Sequence, residues 1–276
     1  MFPGAHAQTT PDAPAVILAG SGQVITYREL DAEANRVSHV FRSLGLQPGD
    51  HVALCLENHP RYFALVWGAH YAGLCYTAMS SRLTTDEMAY IIEDCGARAF
   101  VTSAYKADQA AELAPRLGGD VALSMMDGTV DGYASWEEAL AAQPATPLPE
   151  DRVEGRDMLY SSGTTGRPKG VELPLPDAPL GTPDALYLLA TAVFGATADS
   201  VYLSPAPLYH AAPLRFCMAF QRAGAAVIVM ERFDPTEALA LVERHRVSHS
   251  QWVPTMFIRM LKLPAAVRER YDVSSL

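Results

Sequence analysis

The 276-residue sequence predicts an α/β fold, with layered, parallel-rich sheets covered by helices. Three observations carry that prediction. Short apolar runs with strand character alternate with stretches whose apolar residues recur at helical spacing. Helix-start signals separate the two kinds of segment. Apolar residues make up 49% of the chain and charged residues 19%, which suits a globular chain of this length with an ample core. Crossover helices between successive strands place helices on both faces of a parallel sheet.

In chain order, Thr26 and Glu29 form a capping box. Leu30, Ala34, Val37, Phe41 and Leu44 then recur at helical spacing. Gly49 and Asp50 end that helix and lead into HVALCLEN (51–58), a buried strand. Residues 62–71 read as an apolar helix and 74–78 as a second short strand. Thr84 and Glu87 supply another capping box, with Met88, Ile91, Ile92 and Cys95 on one helix face. ARAFVTS (97–103) is again strand-like.

From 118 to 151 the texture loosens into the turn-rich DGTVDGYAS (127–135) and the surface linker AAQPATPLPED (141–151). A boundary is expected there, between a first α/β subdomain (1–150) and a second (151–276) that carries a Gly-rich loop. Residues 158–161 read as a strand entering that loop and 171–173 as a strand leaving it. The longest apolar run, ALYLLATAVFGA (185–196), is too short to span a membrane and predicts a buried helix. Asp234 caps a helix with Pro235 in its first position and Glu237 three residues on. VSHSQWVP (247–254) reads as a strand.

Composition excludes some functions. Lys plus Arg number 21 and Asp plus Glu 31, a formal charge of -10, which argues against a nucleic-acid binder. Any anionic ligand must then be gripped locally. The start, MFPGAHAQTTPDAPAV, lacks the basic stretch and apolar core of a secretory signal. Cys55, Cys75, Cys95 and Cys217 are scattered without a C-x-x-C pair and read as core thiols. His245 and His249 lie four apart, which on a helix would suit a metal, but the strand reading of 247–254 and the lack of a third ligand argue against one.

The chemistry concentrates in SSGTTGRPKG (161–170). Three glycines let the backbone approach a bulky anion. The hydroxyls of Ser161, Ser162, Thr164 and Thr165 can donate to phosphate oxygens, and successive amides can form an anion nest. Arg167 and Lys169 add positive charge, and Pro168 stiffens the exit. The loop suits a polyphosphate. It is not a Walker A loop, which needs G-x-x-x-x-G-K followed by Ser or Thr, and its flanks read as strand on both sides.

MLYSSGTTGRPK (158–169) resembles the phosphate-loop signature of the adenylate-forming superfamily of acyl-CoA synthetases, luciferases and peptide-synthetase adenylation domains. ITYRELDAEANRV (25–37), GLQPGDHVAL (45–54) and RLTTDEMAYIIEDCGARAFVTS (82–103) resemble the opening region of bacterial fatty-acyl-CoA ligases. PLYH (207–210) resembles the acyl-pocket motif, and WVPTMFIRML (252–261) the strand and helix after it. The Thr-His pair often found after the loop is replaced by VELPLPDAP (171–179). The later adenine, ribose, hinge and lysine-lid motifs are not found, so the chain is expected to be a truncated form of the family's large N-terminal domain.

The resemblance implies an ATP-dependent acid–thiol ligase acting on an apolar carboxylic acid, with ATP, magnesium and coenzyme A as cofactor and co-substrates. Gly163, Thr164, Thr165, Gly166 and Lys169, with Ser161 and Ser162, would cradle phosphates, and Ser161 would also help hold magnesium. His210 would sit near the carboxylate as the catalytic histidine. Ala211, Ala212 and Val253 would line the acyl site. A cytoplasmic location without a transmembrane segment is expected, with a homodimer left open, and the isolated chain is expected to be inactive. Two alternatives stand beside this reading: an adenylation domain feeding a carrier protein, and a non-catalytic acyl-binding chain.

Overall fold

The computed structural model describes residues 1–149, 152–161 and 168–276. The chain forms two compact units, one of Met1–Leu30 with Pro183–Leu276 and one of Asp31–Thr182. Numbered along the chain, β1 (Pro14–Leu18) and β2 (Val24–Thr26) belong to the first unit. The second unit holds β3 (His51–Cys55), β4 (Cys75–Met79), β5 (Ala97–Ser103), β6 (Ala122–Met126), β7 (Ala134–Ser135), β8 (Arg156–Asp157), β9 (Leu159–Ser161) and β10 (Lys169–Val171). The first unit resumes with β11 (Val201–Ser204), β12 (Ala226–Val229) and β13 (His249–Ser250).

In the second unit six strands form one sheet in the order β7-β6-β5-β3-β4-β8, every pair parallel. The middle of that sheet is covered on both sides, and its strands read as apolar runs instead of alternating. Helix Tyr62–Tyr71 joins β3 to β4 and is buried along its whole length. Helix Thr85–Asp94 starts at a complete Thr84–Glu87 capping box, and Met88, Ile91, Ile92 and Cys95 pack into one core with Phe100, Leu113 and Met125. The Thr26–Glu29 box is also formed: each residue's backbone N–H donates to the other's side chain, at 2.8 and 3.2 Å.

The first unit's sheet runs β13-β11-β12-β1-β2, parallel except for the β1–β2 hairpin. Its core gathers Leu203, Ile228, Met230, Leu241, Val242 and Val247. The Tyr27 hydroxyl ties the early segment to the later one by donating to the carbonyls of Gln221 and Ala225, at 3.1 and 2.8 Å. Asp234 caps helix Pro235–His245 as its spacing predicts, accepting from the N–H groups of Thr236 and Glu237.

Three expectations need correction. The units do not divide at 150/151. β1 pairs in register with β12, Val16 to Val227, which draws the first thirty residues to the later strands, while β8 pairs with β4 and keeps 152–157 in the earlier sheet. Residues 185–196 are not one buried helix. A short helix, Ala185–Leu188, runs into a π-helical turn, Leu189–Val193, and Leu188, Val193 and Phe194 stand exposed. The Thr191 hydroxyl donates to the Tyr187 carbonyl, and the Phe194 N–H reaches back five residues to Leu189, so local bonds compete with a regular helix. The strand expected over 247–254 shrinks to His249–Ser250, because Pro254 starts a helix and Val253 is already its cap. Among the described residues no helix is long and apolar enough to cross a membrane.

Candidate functional site

The Gly-rich segment is mounted on an antiparallel hairpin. β9 and β10 pair Ser161 with Lys169, Tyr160 with Gly170 and Leu159 with Val171. The two ends of the segment therefore lie side by side, and the expected strand on each flank is present, though the exit strand begins at Lys169 instead of 171. Hairpin pairing, not strand-then-helix, is what distinguishes this loop from a Walker A loop. Lys169 is exposed. Ser162, Gly163, Thr164, Thr165, Gly166 and Arg167 lie outside the described residues.

Gly170 sits in close quarters. A Cβ at this position would lie 2.4 Å from Met158 Cε and 3.0 Å from Tyr160 Cζ, so the Met158 methyl would have to move aside and the Tyr160 ring to yield slightly. The hairpin departs directly from the parallel sheet: β8 ends at Asp157, and the Met158 N–H donates to the Tyr76 carbonyl at 2.8 Å.

His210, Ala211, Ala212 and Val253 belong to the other unit. β11 and β13 are parallel, with Tyr202 opposite His249 and Leu203 opposite Ser250, so the chain leaves both strands at the same, carboxyl end of the sheet. Open α/β sheets bind ligands outside the carboxyl ends of their strands. Residues 205–210 and 251–253 follow these two strands and bring His210 and Val253 to one end of the sheet. His210 is exposed and is the cap residue of helix Ala211–Ala223 without capping it by its side chain; its ring lies 4.6 Å from that of Tyr209. Ala211 and Ala212 begin the helix, so small side chains stand at its start. Leu214, Cys217 and Phe220 turn into the core, and Phe216 meets Phe194 at 6.3 Å. Val253 is 45% exposed.

His245 ends one helix while His249 lies in β13, so the pair does not share a helix face. His249 is taken up by the Ser248 hydroxyl at 2.9 Å and the Phe194 carbonyl at 2.7 Å. The four cysteines are buried and free, as their scatter predicts. Burial pushes the Cys55 and Cys217 thiols up to about 12 and Cys95 to about 11, which makes them inert at neutral pH.

One cluster of potential metal ligands had no sequence signal: Glu57, His59 and Asp127, brought together by the ends of β3 and β6. The Arg61 N–H donates to His59 Nδ1 at 3.1 Å, which leaves the ring proton on Nε2, facing Asp127 Oδ2 at 2.8 Å. Both ring nitrogens are thus spent on hydrogen bonds, and the Ser103 hydroxyl donates to Glu57 at 2.6 Å. The arrangement fastens a turn in which Asp127 has a φ of 61°.

A family model described as AMP-binding enzyme matches residues 4–276. The chain is 30% identical over 275 residues to 4-coumarate–CoA ligase 3 of Oryza sativa subsp. japonica, covering 95% of this chain and 47% of that protein. It is 31% identical over 262 residues to a feruloyl-CoA synthase of an Amycolatopsis species, with 93% and 48% covered. The inhibitor-bound N-terminal domain of FACL13 from Mycobacterium tuberculosis superposes with a TM-score of 0.79 at 25% identity, covering 99% of this chain and 67% of that one. The chain spans about half the length of the curated relatives it matches.

Proposed function

The chain belongs to the family of AMP-binding enzymes, and on that premise we propose that it is the front part of a ligase that activates a carboxylic acid with ATP and passes the acyl group to coenzyme A. The observation that carries the proposal is the β9–β10 hairpin, which closes Ser161 against Lys169 at the two ends of a segment rich in Gly, Ser and Thr. Relatives named as CoA ligases for two different acids support the reaction class.

In the first step a carboxylate oxygen attacks the α-phosphorus of ATP, the bond to the bridging oxygen breaks, and pyrophosphate leaves. In the second, the coenzyme A sulfur, having lost its proton, attacks the acyl carbon and AMP leaves. A free carboxylate resists thiol attack because oxide is a poor leaving group, and adenylation replaces it with a good one. Both steps depend on positioning and on stabilising charge at phosphate oxygens. We assign Ser161, Ser162, Gly163, Thr164, Thr165, Gly166 and Lys169 to the β- and γ-phosphates. A lysine in an otherwise acidic chain is a localised counter-charge for a polyphosphate. His210 is assigned to the carboxylate end of the acid, and Ala211, Ala212 and Val253 to the acyl wall, on an apolar acid.

Magnesium prefers oxygen ligands and is commonly held by one or two carboxylates together with substrate phosphates. The hairpin strands Leu159–Ser161 and Lys169–Val171 supply two hydroxyl residues, Tyr160 and Ser161, and no carboxylate, so they do not make a magnesium site by themselves. No step is assigned to the ion.

The test is carboxylate-dependent formation of AMP and pyrophosphate in the intact protein, over a panel of aromatic and aliphatic acids, with thioester detected by mass. Formation of ADP, or ATP cleavage indifferent to the acid, would refute the reading. Residues 1–276 alone are expected to exchange pyrophosphate into ATP poorly, since the curated relatives are about twice as long.

A further inference from the structure

We propose that helix Thr85–Asp94 is a clamp that positions the phosphate-binding hairpin, with Tyr90, Asp94 and Tyr160 as its positioning residues. The proposal rests on the phosphate-loop reading above.

The hairpin needs outside support. Its strands are three residues each, and two short strands alone are marginal in water. Val171, at the end of the exit strand, is 54% exposed, so little apolar burial secures that arm. Gly170 contributes no side chain, and the Tyr160 ring covers it instead.

The support comes from one face of the helix. Tyr90 and Asp94 are four residues apart and therefore neighbours on the helix surface. The Tyr160 hydroxyl, on the entry strand, donates to Asp94 Oδ2 at 2.5 Å. The Tyr90 hydroxyl lies 3.2 Å from the carbonyl of Pro168, the residue just before the exit strand, and 3.3 Å from Asp94 Oδ1. Its single proton is shared between those acceptors. One helix thus holds both arms of the hairpin, one on each side of the Gly-rich segment.

Asp94 is an unexpected residue by local rules. It ends a helix whose last turn has no basic residue, and a negative charge at a helix C-terminus opposes the helix dipole. The helix's own stability therefore does not explain an acid there, whereas a charge-assisted acceptor for Tyr160 does. Burial, and then the hydrogen bond to Asp94, hold the Tyr160 phenol well above its usual range, so it stays a donor throughout the working pH range. By fixing the stem, the clamp sets the position of Lys169 at the start of the exit strand. A polyphosphate grip built on directed donors is sensitive to such shifts.

The test is calorimetric titration of the full chain with magnesium-ATP and, separately, with inorganic tripolyphosphate, alongside thermal unfolding of each variant. Y160F and D94A should weaken both ligands about tenfold and Y90F about threefold, the loss expected for one charge-assisted and one shared hydrogen bond. D94N keeps a neutral acceptor and should recover part of the D94A loss. Thermal midpoints should stay close to wild type, and if Y160F does not fold, Y90F and D94N carry the decision. If K169A binds weakly while the clamp variants bind like wild type, the clamp is refuted and the loop reading stands. If binding falls only in step with thermal stability, the residues are merely structural and the proposal is overturned. If the wild type binds neither ligand, or K169A binds like wild type, both readings fall.

Discussion

Gly155→Ala should destabilise the Asp31–Thr182 unit far more than a typical glycine-to-alanine change. Gly155 is buried, and its added Cβ would lie 2.7 Å from His70 Cα, 2.7 Å from the Leu74 carbonyl oxygen and 2.8 Å from that of Ala69. All three are backbone atoms, so no rotamer change relieves the clash, and 152–157 must back away by several tenths of an ångström. That movement stretches the Gly155 N–H to His70 carbonyl bond (3.1 Å) and the Arg156 N–H to Leu74 carbonyl bond (3.0 Å). It also pulls on the buried Glu154, which holds His70 Nδ1 at 2.7 Å and the Gly181 N–H at 2.7 Å.

Overpacking of this kind costs about 1–3 kcal/mol, and each buried group left unsatisfied about 1–3 kcal/mol more. A total of about 2–5 kcal/mol follows, or roughly 5–15 °C in midpoint for a unit of this size. Gly118→Ala is the control: no atom lies within 4 Å of its Cβ and its φ is not positive, so it should be neutral or stabilise by about 0.4–1 kcal/mol. Thermal and urea unfolding of both variants decide the matter. A Gly155→Ala protein within about 0.5 kcal/mol of wild type, the range of an ordinary surface change, would refute the backbone-clash argument. Because 152–157 feeds directly into the β9–β10 hairpin, ATP binding should weaken along with stability.

Three further outcomes are expected. Lys169→Ala should slow adenylation about tenfold to over a hundredfold, from a lost charge-assisted contact of about 1.5–3 kcal/mol. Supplied acyl-adenylate should still reach thioester near the normal rate, and equal loss in both steps would argue against a phosphate role. Ala212→Trp should raise KM for long acids more than for short ones, by up to about 0.8 kcal/mol for each methylene excluded; an unchanged length preference in a stable variant would place the acyl wall elsewhere. Stability should fall as pH rises above about 9, because unfolding frees Cys55, Cys95 and Cys217 to ionise at their ordinary value of 9.0 while the folded chain holds them near 12, 11 and 12. Raised thiols add stability that is fully present below the unfolded pKa and is lost upward through the folded one. Urea midpoints between pH 8 and pH 10.5 should decline, more shallowly in a Cys55→Ala, Cys217→Ala double variant.

What the sequence settled by itself is local. Thr84 and Glu87 cap a helix because four consecutive residues contain both partners of the box, and Asp234 with Pro235 does the same. Helix Tyr62–Tyr71 and strand Ala97–Ser103 were legible from length and apolar texture alone. The order Ser, Gly, Thr, Pro, Lys announced the family. Tertiary structure decided what depends on residues far apart. Nothing near Val16 encodes its pairing with Val227, so the recruitment of the first thirty residues to the later sheet, and hence the true division into units, was invisible. Apolar content at 185–196 could not reveal a π-helical turn with a Thr191 hydroxyl bonded to the backbone and Val193 left exposed. Nor could the spacing of Tyr90 and Asp94 show that their helix face meets Tyr160, sixty-six residues beyond Asp94. Caps and periodicity are short-range and survive in a one-dimensional reading, whereas strand pairing and side-chain convergence are long-range and are fixed only when the chain closes on itself.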